Sequence, residues 1–154
     1  MKIRLIISGK PKDPVTANAI DRYVSKIKKF IPFELSVMQD PRNLSDPARY
    51  SQEEWRLLEK KISPDDYVIL LDERGKSYSS LEFSAKLQQW MMQRKKSVVF
   101  IIGGPYGFTA EANDCAHETL SLSKMTLQHD IASLVFTEQL YRAFTIMRGE
   151  KYHH

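Results

Sequence analysis

The sequence predicts an α/β fold: a mostly parallel sheet with helices on both faces. Three observations predict it. Strand-like and helix-like segments alternate from one end of the 154 residues to the other. Two of the strand-like segments, Tyr67–Leu71 (YVILL) and the VVFII that begins at Val98, are apolar without alternation. That pattern belongs to strands buried on both faces. The second runs directly into Gly103-Gly104-Pro105-Tyr106-Gly107, and open parallel sheets bind ligands outside the carboxyl ends of their strands. Glycine there lets backbone approach a ligand where a Cβ would collide. A tight strand-to-helix turn without a ligand would read the same way.

Each element has its own signal. Lys2–Ser8 (KIRLIIS) is a first strand, ended by Gly9-Lys10-Pro11. Asp13 then caps a helix with Pro14 at its first position. Its apolar face is Ile20, Tyr23, Val24, Ile27 and Ile31, and Arg22, Lys26, Lys28 and Lys29 surround it as a solvated face. Phe33–Met38 is a second strand, and Asp40–Pro47 a loop. A helix follows to about Ile62, with Trp55, Leu58 and Ile62 on one side. Tyr67–Leu71 ends in a polar loop, Asp72-Glu73-Arg74-Gly75-Lys76. Ser79 and Glu82 form a capping box, opening a helix that buries Phe83, Leu87, Trp90 and Met91 and closes on Arg94-Lys95-Lys96. Thr109 caps a short helix to about Glu118, with Cys115 as a small core residue and His117 structural or on the surface. Leu120–Leu127 alternates, as a half-buried strand or extended loop. The last helix runs from about Asp130 to Met147, with Ile131, Leu134, Val135, Leu140, Tyr141, Phe144 and Met147 on its apolar face. No linker divides the chain, so residues 1–154 read as one domain.

Composition excludes several classes. A single cysteine leaves no disulfide framework and no cysteine metal cluster, and fits a reducing, cytoplasmic setting. No apolar run is long enough to span a bilayer, so no membrane association is expected. The formal charge of +4 leans toward a polyanionic partner. There is no GxGxxG, no P-loop, no nucleophile elbow and no paired-histidine metal spacing; no metal is expected. A glycine-turned pocket without a catalytic dyad suits a cofactor that carries its own reactivity.

The residues also carry a resemblance. LLDERGK at 70–76, FIIGGPYGF at 100–108, LSLSKMTLQH at 120–129, EQLYRAFTIMRGEKYHH at 138–154 and the opening KIRLIISGK resemble the ribosomal RNA large subunit methyltransferase H family of the SPOUT superfamily. The resemblance spans the chain and is densest from residue 67 onward. It implies a carboxyl-terminal trefoil knot, which periodicity cannot show. It implies S-adenosylmethionine as methyl donor, a homodimer, and methylation of N3 of a pseudouridine in 23S rRNA. The partner would be RNA within the ribosome, not DNA. The family's cofactor residues fall on Leu71, Gly103 with Gly104 beside it, and Leu122, Ser123, Lys124, Met125, Thr126 and Leu127.

For catalysis the resemblance points to the tail and to one loop histidine. Tyr152 is expected to stack on the base. His153 or His129 is expected to accept the N3 proton or bond a base carbonyl, and Arg142 to hold phosphate or the tail. Two departures stand out. Ser133, in Gln128-His129-Asp130-Ile131-Ala132-Ser133, replaces a frequent arginine, and His154 replaces a terminal cation. Both should remove positive charge from the RNA-facing rim. The competing expectations are a related methyltransferase acting on another RNA such as tRNA, and a non-catalytic ribosome- or RNA-binding module.

Overall fold

The computed structural model describes residues 1–154. Five strands, β1 (Lys2–Ser8), β2 (Phe33–Met38), β3 (Asp66–Ser77), β4 (Ser97–Ile102) and β5 (Glu118–Ser121), form one sheet. The order is β2-β1-β4-β3-β5, and every neighbouring pair is parallel. Helices α1 (Pro14–Ile27), α2 (Pro47–Glu59), α3 (Ser80–Met91), α4 (Ala110–Cys115) and α5 (His129–Met147) alternate with the strands.

The helix starts are set by local chemistry. Asp13 accepts from the Thr16 amide at 3.2 Å and Asp46 from the Arg49 amide at 3.1 Å, each followed by a proline. Ser79 and Glu82 complete a reciprocal capping box, and Thr109 accepts from the Ala112 amide.

Strand β4 lies at the centre and every one of its residues is buried. Its alternation divides the core. Val98, Phe100 and Ile102 pack with α1, α3 and α5, through residues such as Trp90 and Phe136. Val99 and Ile101 pack with α2 and α4, through Trp55, Leu58 and Ala112. This two-sided burial is why no polar position interrupts the strand from Val98 to Ile102.

Several expectations need correction. Strand β3 does not stop at Leu71 but continues through the polar segment to Ser77, because β5 pairs along it. Leu71 and Lys76 both register on Leu120, so the ladder is irregular between them. Gly75 permits this: a Cβ there would lie 2.7 Å from the Thr119 carbonyl carbon and oxygen.

Helix α2 ends at Glu59 rather than Ile62, although Ile62 still packs on the core. Helix α4 ends at Cys115, not Glu118. The reason is His117, whose amide donates to the Val68 carbonyl at 2.8 Å and whose Nδ1 accepts from the Val68 amide at 3.0 Å. Cys115 is exposed, not core. Arg94-Lys95-Lys96 lies beyond α3, whose last turn carries no cation; Lys95 Nζ instead donates to the Pro64 carbonyl.

In α5, Ile131 is exposed, and Phe136 is buried as well as the expected Phe144. Ser133, Thr137 and Thr145 also face the core. Each hydroxyl returns a hydrogen bond to a carbonyl three or four residues earlier, which makes it tolerable there. Ser133 is therefore buried and is not part of a charged rim.

Candidate functional site

The carboxyl ends of β1, β3 and β4, the loop after β5 and the start of α5 surround a cavity of about 1140 Å³. Ser8, Gly9, Leu71, Ile102 and the turn Gly103–Phe108 form its floor and one wall. Leu122, Ser123, Met125, Thr126, Leu127 and His129 form the other. Such a volume suits a cofactor-sized ligand with room for a second group.

Glycine is needed where the turn passes over α2. A Cβ on Gly104 would lie 2.5 Å from Glu54 Oε2 and 3.1 Å from the Tyr50 ring, and one on Gly103 would lie 3.0 Å from Phe108. Glu54 is buried on α2. Its carboxylate accepts from Ser8 Oγ at 2.7 Å and from the Gly104 amide at 3.0 and 3.1 Å. Burial pushes this carboxyl above its ordinary range, while the Ser8 and Gly104 hydrogen bonds and the nearby His129 act the other way. One turn earlier, burial and the Glu54 charge push the Tyr50 phenol up to about 12. Tyr50 meets the exposed Tyr106 edge-on at 5.1 Å.

The loop over the cavity is tied by its own hydroxyls. Ser121 Oγ donates to the Ser123 carbonyl at 2.9 Å, and the Met125 amide donates to Ser123 Oγ at 3.0 Å. Thr126 Oγ1 donates to Glu73 Oε2 at 2.5 Å, linking the loop to the irregular part of β3. His129 Nε2 lies 2.9 Å from the Gly9 carbonyl, which can only accept, so Nε2 carries the proton. His129 Nδ1 is buried and has no partner.

Of the residues expected to bind the donor, Leu71, Gly103, Gly104, Leu122, Ser123, Met125, Thr126 and Leu127 meet around this cavity, and Lys124 is exposed outside its lining. His129 joins them. Arg142, Tyr152 and His153 do not line it; they form a separate cluster with α1 and α5. Arg142 pairs with Glu138 at 2.6 Å and lies 3.3 Å from His153 Nδ1. Its guanidinium sits 4.7 Å above the Tyr152 ring. The Tyr152 hydroxyl donates to Glu138 Oε1 at 3.0 Å and lies 3.4 Å from the Tyr23 hydroxyl. Burial first, then these two neighbours, raise the Tyr152 phenol far above its ordinary value. It is a phenol, not a phenolate, near neutral pH.

Sequence reasoning missed Glu54. It sits in a polar stretch of helix, and only its contact with two distant strand ends distinguishes it. Its place one turn after Tyr50 and beside Trp55 was the available signal.

A wholly parallel α/β sheet with a glycine-floored cavity on its carboxyl rim defines a ligand-binding α/β protein of the kind that takes a nucleotide-like cofactor. Comparison with known proteins carries this further. Residues 1–153 match the family described as "Predicted SPOUT methyltransferase". Proteins named "Ribosomal RNA large subunit methyltransferase H" from Parabacteroides distasonis and Flavobacterium psychrophilum are each 42% identical, and one from Bacteroides fragilis is 41% identical. Each comparison covers 100% of this chain and 99% of the relative. A probable methyltransferase structure from Bordetella pertussis Tohama I superposes with a TM-score of 0.56 at 16% identity, covering 92% of this chain and 93% of that one. A probable methylase family protein from Haemophilus influenzae gives 0.51 at 16% identity, over 97% of this chain and 67% of that one. Likeness at that identity speaks for the fold. The chain belongs to the SPOUT methyltransferase family, among the ribosomal RNA large subunit methyltransferase H proteins. It is a methyltransferase, and S-adenosylmethionine is the methyl donor of that family. The cavity fits such a donor in size, with apolar side chains from Leu71, Ile102, Leu122 and Leu127 beside the backbone of the Gly103–Gly107 turn.

Proposed function

We propose that this chain methylates N3 of a pseudouridine in 23S rRNA of the assembled ribosome, acting in the cytoplasm as a homodimer. Residues 1–154 form one SPOUT domain whose carboxyl-terminal part is knotted. One observation carries the reading: all the expected donor-binding residues except Lys124 surround one cavity. No helix is long and apolar enough to cross a membrane.

The donor supplies a methyl already activated by a positive sulfur, so the protein must align it and take up the N3 proton. Leu71, Leu122 and Leu127 would hold the donor's adenine, and the 122–127 backbone would read its polar edge. His129 lines the cavity, whereas His153 lies outside it with Arg142 beside its Nδ1. His129 is therefore the better proton acceptor of the two. The Tyr152 hydroxyl is engaged by Glu138, and its ring stacks on the base.

Because no tail residue lines its own chain's cavity, the tail of one subunit serves the cavity of the other. This gives the homodimer a mechanistic reason. A mixture of a donor-site variant (Gly103→Trp) and a tail variant (Tyr152→Ala), each impaired alone, should regain activity through hybrid dimers. No recovery would show that each subunit works within itself.

The primary test is mass-spectrometric nucleoside analysis of 23S rRNA after incubating the protein and S-adenosylmethionine with ribosomes lacking the modification. N3-methylpseudouridine is expected, formed faster on ribosomes than on naked rRNA fragments. Donor binding without transfer would redirect the search to another RNA such as tRNA. No donor binding would leave a ribosome-binding module.

A further inference from the structure

Beneath the cavity lies a group that the reaction above does not use. Glu54 is 2% exposed, in the middle of α2. A buried carboxylate costs several kcal/mol of desolvation, and burial is the largest influence on this one, outweighing the hydrogen bonds that offset it. Stability alone is a poor reason to keep one. Its partners are two donors, the Ser8 hydroxyl at the end of β1 and the Gly104 amide just after β4. Both belong to residues on the cavity wall, while Glu54 stands behind them.

The Gly103–Gly104 peptide is trans, as every peptide in the chain is. In a planar trans peptide the carbonyl points opposite to the amide N–H. With the Gly104 N–H held by Glu54, the Gly103 carbonyl is turned away from α2, toward the cavity. Nothing else anchors this amide, since Glu54 is its sole hydrogen-bond partner. Glycines at 103 and 104 leave the turn free to rotate. The freedom that lets backbone line the cavity is thus restrained from behind by one carboxylate.

We infer that Glu54 is a positioning residue that fixes the Gly103–Gly104 peptide so that its carbonyl, and not its N–H, faces the methyl donor. This rests on the donor occupying the cavity, as proposed above. A carbonyl is the complementary group for the donor's ammonium or sulfonium charge, and an N–H would repel it. Asp40, His129 and Tyr50 also lie near the carboxylate, but none bonds the turn.

The test compares donor affinity with folding in three variants. Glu54→Met removes both acceptors at similar volume, Glu54→Asp keeps the charge but withdraws it by one methylene, and Glu54→Gln keeps an acceptor in place. Calorimetric titration with S-adenosylmethionine is read beside the thermal midpoint and the NMR shift of the Gly104 amide. In Glu54→Met the affinity should fall about tenfold or more, the loss of roughly one charge-assisted hydrogen bond, while the protein stays folded with a lowered midpoint, because the Ser8 hydroxyl and the Gly104 amide lose their acceptor. Glu54→Asp should lose several-fold in affinity with the Gly104 amide displaced, and Glu54→Gln should recover most of it. The inference is overturned if Glu54→Met or Glu54→Asp is folded and binds the donor as the wild type does. It is also overturned if Glu54→Gln fails as badly as Glu54→Met. Should Glu54→Met not fold, the other two variants decide. Wild-type protein that binds no donor would instead sink the proposed function, so the two failures are distinct.

Discussion

Replacing Gly75 by alanine should damage both the stability of the sheet edge and donor binding. A Cβ at this position would lie 2.7 Å from the Thr119 carbonyl carbon and oxygen and 2.9 Å from the Leu120 carbonyl carbon. Comfortable contact between such atoms needs about 3.5 Å or more, so the shortfall is about 0.8 Å. The atoms in the way are backbone and cannot rotate aside. Strand β5 must shift as a unit. It is a four-residue edge strand paired only with β3, and it leads directly into the 122–127 loop. Overpacking of this kind costs roughly 1–3 kcal/mol. For a chain of this size that is roughly 2–12 °C in Tm. A thermal melt measures it, and donor titration on the folded variant measures the displacement of the loop. The loss of stability should be accompanied by weaker donor binding. A Gly75→Ala protein that melts within about 1 °C of wild type and keeps its donor Kd would refute the reasoning.

Tyr152→Ala should lower methyl transfer by about 5- to 150-fold, the worth of one base-stacking contact, with donor affinity unchanged; Tyr152→Phe should behave nearly as wild type. An equal loss of donor affinity would contradict the separation of tail and cavity. Glu118 accepts from Trp90 Nε1, Tyr67 Oη and Lys86 Nζ. Burial opposes its ionisation, but these donors prevail and hold the carboxyl below its ordinary 4.5. Its contribution is therefore fully present above that value and is lost as pH falls through the lowered one. Glu118→Gln should cost about 1–2 kcal/mol at pH 7 in urea unfolding, and the two proteins should converge in acid. Finally, Arg22 on α1 and Lys28 and Lys29 just beyond its end are exposed. Replacing all three by alanine should leave the salt dependence of ribosome binding unchanged if they are merely solvated. A slope reduced by about 3 would assign them to phosphates.

Much of the site was legible in the chain itself. The buried strands announced their position by uninterrupted apolar runs, and the glycines after β4 marked the rim where the cavity opens. Periodicity also found the helices, and three of their starts were marked by local chemistry: Asp13, Ser79 and Thr109 bond amides within three residues. Motif resemblance added the loop at 122–127, which has no side-chain chemistry to advertise its role.

Other features had no local cause. The polar segment after Leu71 reads as a loop and becomes strand only because β5 lies beside it. The helix after Thr109 stops early because His117 is captured by Val68, a partner 49 residues away. Ser133, Thr137 and Thr145 look like surface residues and are buried, since a helix lets their hydroxyls bond its own carbonyls. The tail could be recognised but not located; packing against α1 and α5 sets it apart from its own cavity. Glu54 acquires its meaning only when β1, β4 and α2 converge. The sequence by itself determined the apolar strand runs, three of the helix caps and the glycine turn, because apolar periodicity and capping act over a few residues. The tertiary structure alone decided which distant groups meet, since a hydrogen bond between residues 50 apart depends on the packing of everything between them.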